Sequence, residues 1–488
     1  MGDSQPIIQI AEPNAAPAVR RGFYFPLNIS ERKLLLMALD LLALCGSLVL
    51  ITMLRPEYAG EPTVFLRRPY WLLTLALVWL LLAHGMDLYD LRVAGRFTAS
   101  IPSIVLAGMI TTVGYLFIPF ITPAPPASHL LMGAFPLLST AMLLAGRFLY
   151  TRLLAQPVFQ QRVLIVGAGW AGRTIAEALA RTCRDSVYIV GFVDDDAAKQ
   201  GSVVEVGEQR VRVLGGRREL KPLIGAQRVT TLVLAITHEI EGELFQTLMD
   251  CLEFGVEIVP MPVLYEQLTG KVPVEHIGDN WYMAMPIDHP GTKRLNRLIK
   301  RLTDVALASL GLLLLLPFLP ILALAIYIDS PGPIFYTQER VGEGGKIFKV
   351  YKFRSMVPDA EKGEAVWAQE NDPRVTRVGR LLRKTHVDEF PQFLNILKGE
   401  MSAVGPPPER PEFVAELAEE IPFYRTRHAV KPGMAGWSLV KYGYASSKED
   451  AKIKIQYDLY YIKHQSFWLD MVILIKTIID TITLRGRA

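Results

Sequence analysis

The segment that decides the fold is "LTDVALASLGLLLLLPFLPILALAIYI", residues 302–328. It is long enough to cross a membrane, because a helix needs about 20 mostly apolar residues to do so. Pro317 and Pro320 lie at its centre, and proline removes a backbone donor and kinks a helix. The segment is therefore either a fifth membrane span or a re-entrant helix that enters and leaves on the same side.

Four apolar runs precede this segment and predict four transmembrane helices within residues 31–152. The runs cover residues 34–54, 71–83, 101–121 and 130–150. Buried helices of a soluble core are the alternative. Basic residues cluster before the first run, between the second and third, and after the fourth, which places both the N-terminus and the chain after Tyr150 in the cytoplasm. Residues 1–30 show no periodicity and predict a disordered tail, not a signal peptide.

This orientation separates the two interpretations of residues 302–328. A fifth span would put the basic C-terminal third outside the cell, where there are no nucleotide sugars or ATP. A re-entrant helix keeps residues 291–488 in the cytoplasm as one domain. We therefore expect a re-entrant helix.

The composition excludes several classes of protein. A chain of 488 residues that is 51% hydrophobic, with a mean hydropathy of +0.26, is too long and too apolar for one soluble domain. The net charge of +4 indicates no bulk nucleic-acid binder. Cys45, Cys183 and Cys251 have no metal-ligand spacing and predict no disulfide framework, which fits a reducing location.

Residues 160–288 predict a Rossmann-like α/β domain on the cytosolic side. "RVLIVGAGWAG" is an apolar strand followed by Gly167, Gly169 and Gly172 in GxGxxG spacing, and a second strand ends at Asp194, where a ribose-binding acid is found in dinucleotide folds. Two interpretations stay open: a bound NAD or other nucleotide, or a structural or regulatory role.

Residues 331–440 combine many basic side chains with a few polar partners. Arginine binds phosphate oxygens in bidentate fashion, so an anionic substrate such as a diphosphate or a lipid phosphate is one interpretation. A basic surface on anionic lipid headgroups is the other. The candidate side chains are Gln338, Arg340, Lys352, Arg354, Asp372, Arg374, Arg380 and Arg383.

The stretch "KTHVDEFPQFLNILKGE", residues 384–400, contains the adjacent acids Asp388 and Glu389. One interpretation is a capping box formed by Thr385 and Asp388 at the start of a helix that ends at Gly399. The other is catalytic: one carboxylate attacks phosphorus and its neighbour holds Mg²⁺. A glycosidase pair must flank the sugar from two sides, which neighbouring residues cannot do.

Five stretches in this order identify a family: "QERVG", "KVYKFRSM", "DPRVTRVGRLLRKT", "VDEFPQFLNILKGEMSAVGP" and "RHAVKPGMAGW". From about Leu295 to the C-terminus the chain closely resembles the bacterial sugar transferases, the monotopic phosphoglycosyl transferases that start exopolysaccharide and O-antigen chains. The helices and the α/β domain resemble the large form of that family. The tail "KYGYASSKEDAKIKIQYDLYYIK" resembles its exopolysaccharide branch.

The resemblance implies a two-step reaction. Asp388 would attack the β-phosphate of a UDP-hexose, release UMP and hold the phosphosugar, which then passes to polyprenyl (undecaprenyl) phosphate. Glu389 would bind Mg²⁺. The resemblance also implies a bacterial inner-membrane location among membrane lipids, a homodimer and downstream glycosyltransferases as partners. Further substrate-binding candidates are Gln392, Glu409, Arg410, Arg425 and Arg427.

The chain departs from the family pattern in three places. Leu316 stands before Pro317 where the family has serine, and His386-Val387 replaces Ser-Leu before the acid pair. The larger departure is Pro407, which occupies the arginine position of the family's VGPRPE. We expect Arg410, Arg425 or Arg427 to replace the lost charge.

Two other functions remain as alternatives. The string "YASSK", Tyr444 to Lys448, matches the Tyr-x-x-x-Lys pair of membrane-anchored nucleotide-sugar dehydratases, but it follows the Gly-rich loop by about 270 residues. A catalytically weak scaffold of the polysaccharide machinery is favoured only if Pro407 disables the site. The sequence does not reveal which hexose is used.

Overall fold

A computed structural model describes residues 26–58, 63–124, 126, 128–153, 156–237, 242–274, 290–358, 360, 372–443 and 447–483. The predicted N-terminal tail lies almost wholly outside these residues. The chain divides into two compact units. One comprises Met1–Leu80 and Asp87–Thr269, and the other comprises Leu81–Met86 and Gly270–Ala488.

The four predicted apolar runs form helices. The N-terminal helices are α1 (Ile29–Met53), α2 (Val64–Arg67), α3 (Tyr70–Gly85), α4 (Leu91–Ala94), α5 (Phe97–Leu116) and α6 (His129–Leu153). Helices α1, α5 and α6 are long and apolar enough to cross a membrane, and α3 is a shorter apolar helix. All four runs are therefore apolar helices, and three of them are long enough to cross a membrane; that all four cross it stays a prediction.

The α/β section contains a six-stranded mixed sheet. Its elements are β1 (Gln161–Val166), α7 (Trp170–Thr182), β2 (Val187–Val193), β3 (Val203–Val206), β4 (Gln209–Gly215), α8 (Leu220–Gln227), β5 (Thr231–Leu234), α9 (Gly242–Leu252), β6 (Glu257–Pro260) and α10 (Met261–Thr269). The strand order is β3-β4-β2-β1-β5-β6. Every neighbouring pair is parallel except β3 and β4. Strands β2, β4 and β3 lie on one side of β1, and β5 and β6 lie on its other side. Strand β1 is buried along its whole length.

The C-terminal unit joins a broken apolar helix to small sheets and further helices. Its elements are α11 (Pro290–Leu315), α12 (Leu319–Asp329), β7 (Phe335–Val341), β8 (Ile347–Phe353), α13 (Arg377–Lys384), α14 (Phe393–Lys398), β9 (Ser402–Val404), α15 (Pro411–Glu420), β10 (Gly433–Ala435), α16 (Trp437–Lys441), α17 (Lys448–Lys463) and α18 (Phe467–Ile482). Strands β7 and β8 form an antiparallel hairpin, and β9 pairs with β10 in parallel.

One core in this unit joins α11 to the elements that follow it. Ala308, Val350, Ile396, Tyr461 and Ile473 are all at most 1% exposed and belong to one cluster. They come from α11, β8, α14, α17 and α18, respectively. The start of the apolar segment is therefore part of the folded C-terminal unit.

Polar contacts fix the first turns of the apolar segment. Arg301 donates to the carbonyl oxygens of Ile396 and Leu397 at 2.6 and 2.7 Å, where α14 ends and its last carbonyls need donors. Asp304 accepts from the hydroxyl of Ser402 at 2.9 Å. These contacts attach α11 to α14 and β9.

Other contacts fix the end of the same segment. A 3₁₀ turn over Leu316–Phe318, which contains Pro317, separates α11 from α12. Asp329, the last residue of α12, accepts from the backbone N–H of Val378 at 2.8 Å and so caps the start of α13. Leu315 and Ile326, on either side of the turn, belong to one core cluster together with residues of β8 and α13.

Candidate active site

The β7–β8 hairpin presents one polar face. Tyr336, Gln338 and Arg340 are half-buried and alternate with exposed residues along β7. Tyr336 lies directly opposite Lys352 of β8. Since directly opposed residues share a face and the side-chain period of a strand is 2, the face carries Gln338, Arg340 and Lys352 together.

The acid pair follows a sharp change in backbone direction. His386 has a φ of +57°, a left-handed conformation that is uncommon for residues other than glycine. It ends α13 and starts a 3₁₀ turn, Val387–Gln392, with Asp388 and Glu389 in the first turn. Asp388 is 3% exposed. Adjacent side chains in a 3₁₀ turn point about 120° apart, so the two carboxylates face different neighbours.

The capping-box interpretation of Thr385 is wrong. The Thr385 hydroxyl donates to the carbonyl oxygen of Leu381 at 2.9 Å, one turn back in the preceding helix. Thr385 is the C-cap that follows the last residue of α13 and does not start a new helix, because the left-handed His386 separates α13 from the next turn.

Two cations of the hairpin lie beside carboxylates. Lys352 Nζ donates to Glu389 Oε1 at 3.0 Å. Arg340 donates to Gln338 Oε1 at 2.5 Å and to the carbonyl oxygen of Pro408 at 3.0 Å. The nearer oxygen of Glu409 lies 3.7 Å from Arg340 Nη1. Burial lowers the pKa of Arg340, and the Glu409 charge opposes that effect. The structure thus gathers five of the predicted site residues.

A buried amide connects the hairpin to the acid pair. The Asn395 side chain accepts from the backbone N–H of Tyr351 at 3.1 Å and donates to Lys349 O and to Glu400, both at 2.7 Å. Asn395 is fully buried. It holds α14 against β8 and so keeps the acid pair next to Lys352. The sequence analysis missed this residue, because its role depends on the contact between two elements.

Asp372 and Arg374 bind each other. Arg374 donates to both carboxylate oxygens of Asp372 at distances between 2.5 and 3.1 Å. These hydrogen bonds lower the pKa of Asp372 to about 2. On the neighbouring α13, Arg380 is exposed and Arg383 is half-buried. The Asp372–Arg374 pair is thus largely satisfied internally, and the charge of Arg383 also contributes to the lowered pKa of Asp372.

Arg354 holds the exit of the apolar segment. It is 7% exposed, and its guanidinium donates to the carbonyl oxygens of Ser330 and Pro331. It fixes the chain between α12 and β7, and these contacts differ from the phosphate contact predicted for it.

The candidates to replace the arginine missing at Pro407 lie in different surroundings. Arg427 is 4% exposed and donates to Asp458 Oδ2 and to the carbonyl oxygen of Pro407, both at 2.9 Å. It thus supports the loop that contains Pro407. Arg410 is half-buried at the start of α15, and Arg425 is exposed. Gln392 is buried at the end of the 3₁₀ turn.

The Gly-rich loop has a different arrangement. Gly167 has a φ of +110°, and a Cβ on Gly172 would lie 1.9 Å from Gly167 O, so both positions require glycine. Asp194 accepts from the N–H groups of Ala168 and Asp196 at 2.8 and 3.0 Å and from Lys199 Nζ at 3.2 Å. Although partial burial raises the pKa of Asp194, these hydrogen bonds lower it overall.

Comparison with known proteins decides the family. A model of the bacterial sugar transferases matches residues 295–484. A putative undecaprenyl-phosphate N-acetylgalactosaminyl 1-phosphate transferase of Bacillus subtilis (strain 168) is 54% identical over 26% of this chain and 72% of the relative. The chain belongs to the bacterial sugar transferase family.

Other relatives of this sugar transferase align over longer stretches. A UDP-glucose:undecaprenyl-phosphate glucose-1-phosphate transferase of Xanthomonas campestris pv. campestris is 32% identical over 71% of each chain. A UDP-N-acetylgalactosamine-undecaprenyl-phosphate N-acetylgalactosaminephosphotransferase of Aeromonas hydrophila is 40% identical over 54% of this chain and 61% of the relative. The chain therefore spans about three fifths of the Aeromonas protein.

A second model, described as a CoA-binding domain, matches residues 84–262, which include α4 to α6 and most of the α/β section. A crystal structure of UDP-D-quinovosamine 4-dehydrogenase from Vibrio fischeri aligns at 24% identity over 23% of this chain and 87% of that chain, with a TM-score of 0.19. That score is too low to show a shared fold. The apolar helices and these relatives together indicate a membrane location.

Proposed function

We propose that this protein transfers a hexose 1-phosphate from a UDP-sugar to undecaprenyl phosphate. The observation that carries the proposal is the adjacent pair Asp388 and Glu389, held beside Lys352 in a unit that also contains the broken apolar segment. Relatives named as undecaprenyl-phosphate sugar-1-phosphate transferases support the same reaction.

The proposed first step is a displacement at phosphorus. A carboxylate oxygen of Asp388 forms a bond to the β-phosphorus of the donor, and the bond from that phosphorus to the oxygen bridging the two phosphates breaks. The bridging oxygen leaves as part of UMP. In the second step an oxygen of undecaprenyl phosphate attacks the same phosphorus and the Asp388 carboxylate leaves, giving a polyprenyl-diphospho-sugar.

The basic side chains near the acid pair have the opposite charge to the donor diphosphate. Phosphoryl transfer depends mainly on positioning and on electrostatic stabilisation. Arg340 and Lys352 share the face of the hairpin beside the acid pair, and Arg383 lies on the helix that leads into it. We propose that these cations orient the donor diphosphate.

Mg²⁺ fits the donor set at this site. Mg²⁺ takes oxygen ligands and is commonly held by one or two carboxylates plus substrate phosphate. Among the residues that the structure describes, no group of three or more His, Cys, Asp and Glu side chains could hold a metal, so the protein would supply Glu389 and the donor phosphates would complete the set. When bound, the ion would offset diphosphate charge.

We propose that α11 and α12 form a re-entrant hairpin. In support, both ends of the segment bind the same folded unit, through Arg301 at the start and Asp329 at the end. Cysteines introduced at Lys346 and at Arg210 should both react with an impermeant thiol reagent from the cytoplasmic side. Reaction from opposite sides would mean a complete span.

The Gly-rich loop fits a dinucleotide poorly. The carboxylate of Asp194, which would bind ribose, is held by the loop's own Ala168 N–H and by Lys199. We propose that this section has a structural or regulatory role. Titration of the purified protein with NAD⁺ and with CoA should show no saturable binding at micromolar concentration, and saturable binding of either would overturn this proposal.

The product has a consequence for partners. A polyprenyl-diphospho-sugar is the starting point for further sugar transfer, so we propose that downstream glycosyltransferases extend it into an exopolysaccharide or O-antigen. A relative named exopolysaccharide production protein PSS, from Rhizobium leguminosarum bv. phaseoli, is 41% identical over 99% of its own length. Homodimer formation stays a prediction from the resemblance.

The decisive experiment uses the full chain in nanodiscs. UDP-glucose, UDP-galactose and UDP-N-acetylgalactosamine are each supplied with undecaprenyl phosphate, and UMP release is followed. At least one donor should give UMP and a lipid-linked product. If none does, the protein is better described as a catalytically weak scaffold, the alternative that holds only if Pro407 disables the site.

A further inference from the structure

The carboxylate of Glu409 lies between the candidate active site and a small cavity of the C-terminal unit. On one side its carboxylate lies near Arg340 of the candidate active site. On the other it lines a small cavity together with Tyr424, Arg427, Lys454 and Asp458. The space inside holds about one water molecule. Glu409 therefore connects the site to a buried polar cluster.

Lys454 is the unusual member of this cluster. It is 6% exposed, and its ammonium group makes no hydrogen bond or ion pair with any residue that the structure describes. A cation on a buried side chain that has no ion pair responds strongly to the carboxylates around it, here Glu409 and Asp458. Burial lowers the pKa of Lys454, and the charge that most opposes this is that of Glu409.

The neighbouring cation, Arg427, has hydrogen-bond partners for both terminal nitrogens, although its Nε is buried without one. Arg427 donates to Asp458 at 2.9 Å and to the Tyr424 hydroxyl at 2.7 Å. Glu409 has no comparable bond, because its oxygens lie 3.7 Å from Arg340 and 3.9 Å from Arg427. Charge-assisted hydrogen bonds are about 2.7–2.9 Å long. Glu409 is therefore loosely held between two cations, and it lines the same cavity as Lys454.

The charges of these residues do not balance. Arg340, Arg427 and Lys454 are cations, whereas Glu409 and Asp458 are the only carboxylates among the five. One positive charge is in excess, in the unit where Pro407 replaces the family's arginine. When a donor diphosphate reaches Arg340, the carboxylate of Glu409 competes with it for the guanidinium.

We propose that Lys454 is a positioning residue that attracts Glu409 away from Arg340 and so leaves the Arg340 guanidinium for the anionic donor. Lys454 does not touch the substrate. The proposal rests on the proposed function, since it assumes that the anion at Arg340 is the UDP-sugar. It predicts an effect on donor affinity rather than on the chemical step.

The test compares variants of one helix in the full chain. Lys454→Met should raise the KM for the preferred UDP-sugar about tenfold and leave kcat within about twofold. Lys454→Arg should restore the KM to within about threefold, because it keeps the charge. Lys452→Met, a half-exposed lysine of the same helix, is the matched control and should change neither constant. An unchanged KM in Lys454→Met, or a fall in kcat alone, would overturn the proposal.

A second variant tests the competition directly and does not depend on the folding of Lys454→Met. Glu409→Gln removes the competing charge, so the KM should stay equal or fall by up to about threefold. A tenfold rise would instead show that Glu409 binds the donor. In the Glu409→Gln background, Lys454→Met should have no further effect on the KM, and additive effects would contradict the mechanism.

Donor binding separates this proposal from the proposed function. Equilibrium binding of the same UDP-sugar to wild type and Lys454→Met requires no turnover. Wild type that binds the donor but releases no UMP would overturn the reaction alone, and the two affinities would still decide the role of Lys454. Wild type that binds no UDP-sugar would overturn both.

Discussion

Asp194 and Glu409 are both predicted site carboxylates, and their surroundings differ. Asp194 receives two backbone N–H groups and Lys199 within 3.2 Å. Glu409 has its nearest cations at 3.7 and 3.9 Å. The first carboxylate is committed to its own loop, and the second keeps capacity for another partner.

The comparison shows that a sequence motif predicts where a carboxylate lies in the fold, but not whether that carboxylate can still bind a ligand. The GxGxxG spacing places Asp194 at the end of β2 as expected, yet its hydrogen bonds stabilise the fold itself. The Asp388–Glu389 turn has no motif of comparable reach, and we propose that the cations beside it bind the substrate. We expect substitutions in the C-terminal unit to change turnover, and substitutions at the Gly-rich loop to change stability.

The largest effect is expected at Asp388. Asp388→Asn removes the proposed nucleophile and should reduce UMP release by about a thousandfold or more. Wild type given UDP-sugar alone should gain the mass of a phosphosugar, measured by intact-protein mass spectrometry, and the variant should not. Asp195→Asn, an exposed aspartate of the other unit, is the control. Near wild-type turnover in Asp388→Asn would show that Asp388 is not the nucleophile.

The next effect concerns Glu389 and the metal. UMP release should vanish in a chelator and return with Mg²⁺, because the donor diphosphate needs a counter-charge. Glu389→Gln should lower kcat about a hundredfold and raise the Mg²⁺ concentration needed for half-maximal rate. Undiminished activity in the chelator would contradict the metal assignment.

Smaller changes are expected around Pro407. Arg427 is 4% exposed and bonded to Asp458 at 2.9 Å, whereas Arg410 is half-buried and lies 3.5 Å from Glu412, so we take Arg410 as the candidate for the lost charge. A charge-assisted bond contributes about 1.5–3 kcal/mol, and Arg410→Ala should therefore slow UMP release about 10- to 150-fold.

Pro407→Arg is the counterpart of that substitution and should change the rate little. If it instead accelerates UMP release about a hundredfold, the natural chain lacks the charge and is a weakened enzyme.

The smallest effect on turnover is expected at Asp194. Asp194→Ala leaves the Ala168 N–H without its acceptor and should lower the melting temperature by about 5 °C, with UMP release unchanged within about twofold. The folded-state pKa is below the ordinary 3.8. The stabilisation is therefore full above about pH 4 and is lost as the pH falls through the folded-state pKa.

Melting curves of wild type and Asp194→Ala at pH 7 and pH 3 test this sign. The gap between the melting temperatures of the two proteins should be wider at pH 7 than at pH 3. A loss of turnover at unchanged stability would show instead that the Gly-rich loop takes part in the reaction.

Local patterns predicted much of the fold. The apolar run 130–150 became α6, His129–Leu153, and the strand before Gly167 became β1. The β3–β4 hairpin was missed, although its valines alternate on both sides of Gly207, which has a φ of +58°. The periodicity of apolar residues within one long element predicts that element reliably. A two-residue turn between short strands gives a much weaker sequence signal.

The role of a site residue was harder to predict where contacts with another helix, strand or loop determine that role. Arg354 and Arg427 belong to a basic region, but carbonyl groups and Asp458 from other elements hold them. The capping box failed because His386 adopts a left-handed conformation, which is uncommon for residues other than glycine. Asn395 had no signal, because a buried amide is recognised only when its partners are known.

The Asp329 cap has a consequence for the lipid environment. This carboxylate fixes the start of α13 to the last residue of the apolar segment, and α13 carries Arg380 and Arg383. If the segment lies in the bilayer as proposed, we expect a thicker or thinner bilayer that displaces it to displace these arginines as well. The rate of the proposed phosphosugar transfer should then depend on the membrane as well as on the protein, so an assay in nanodiscs must hold acyl-chain length constant.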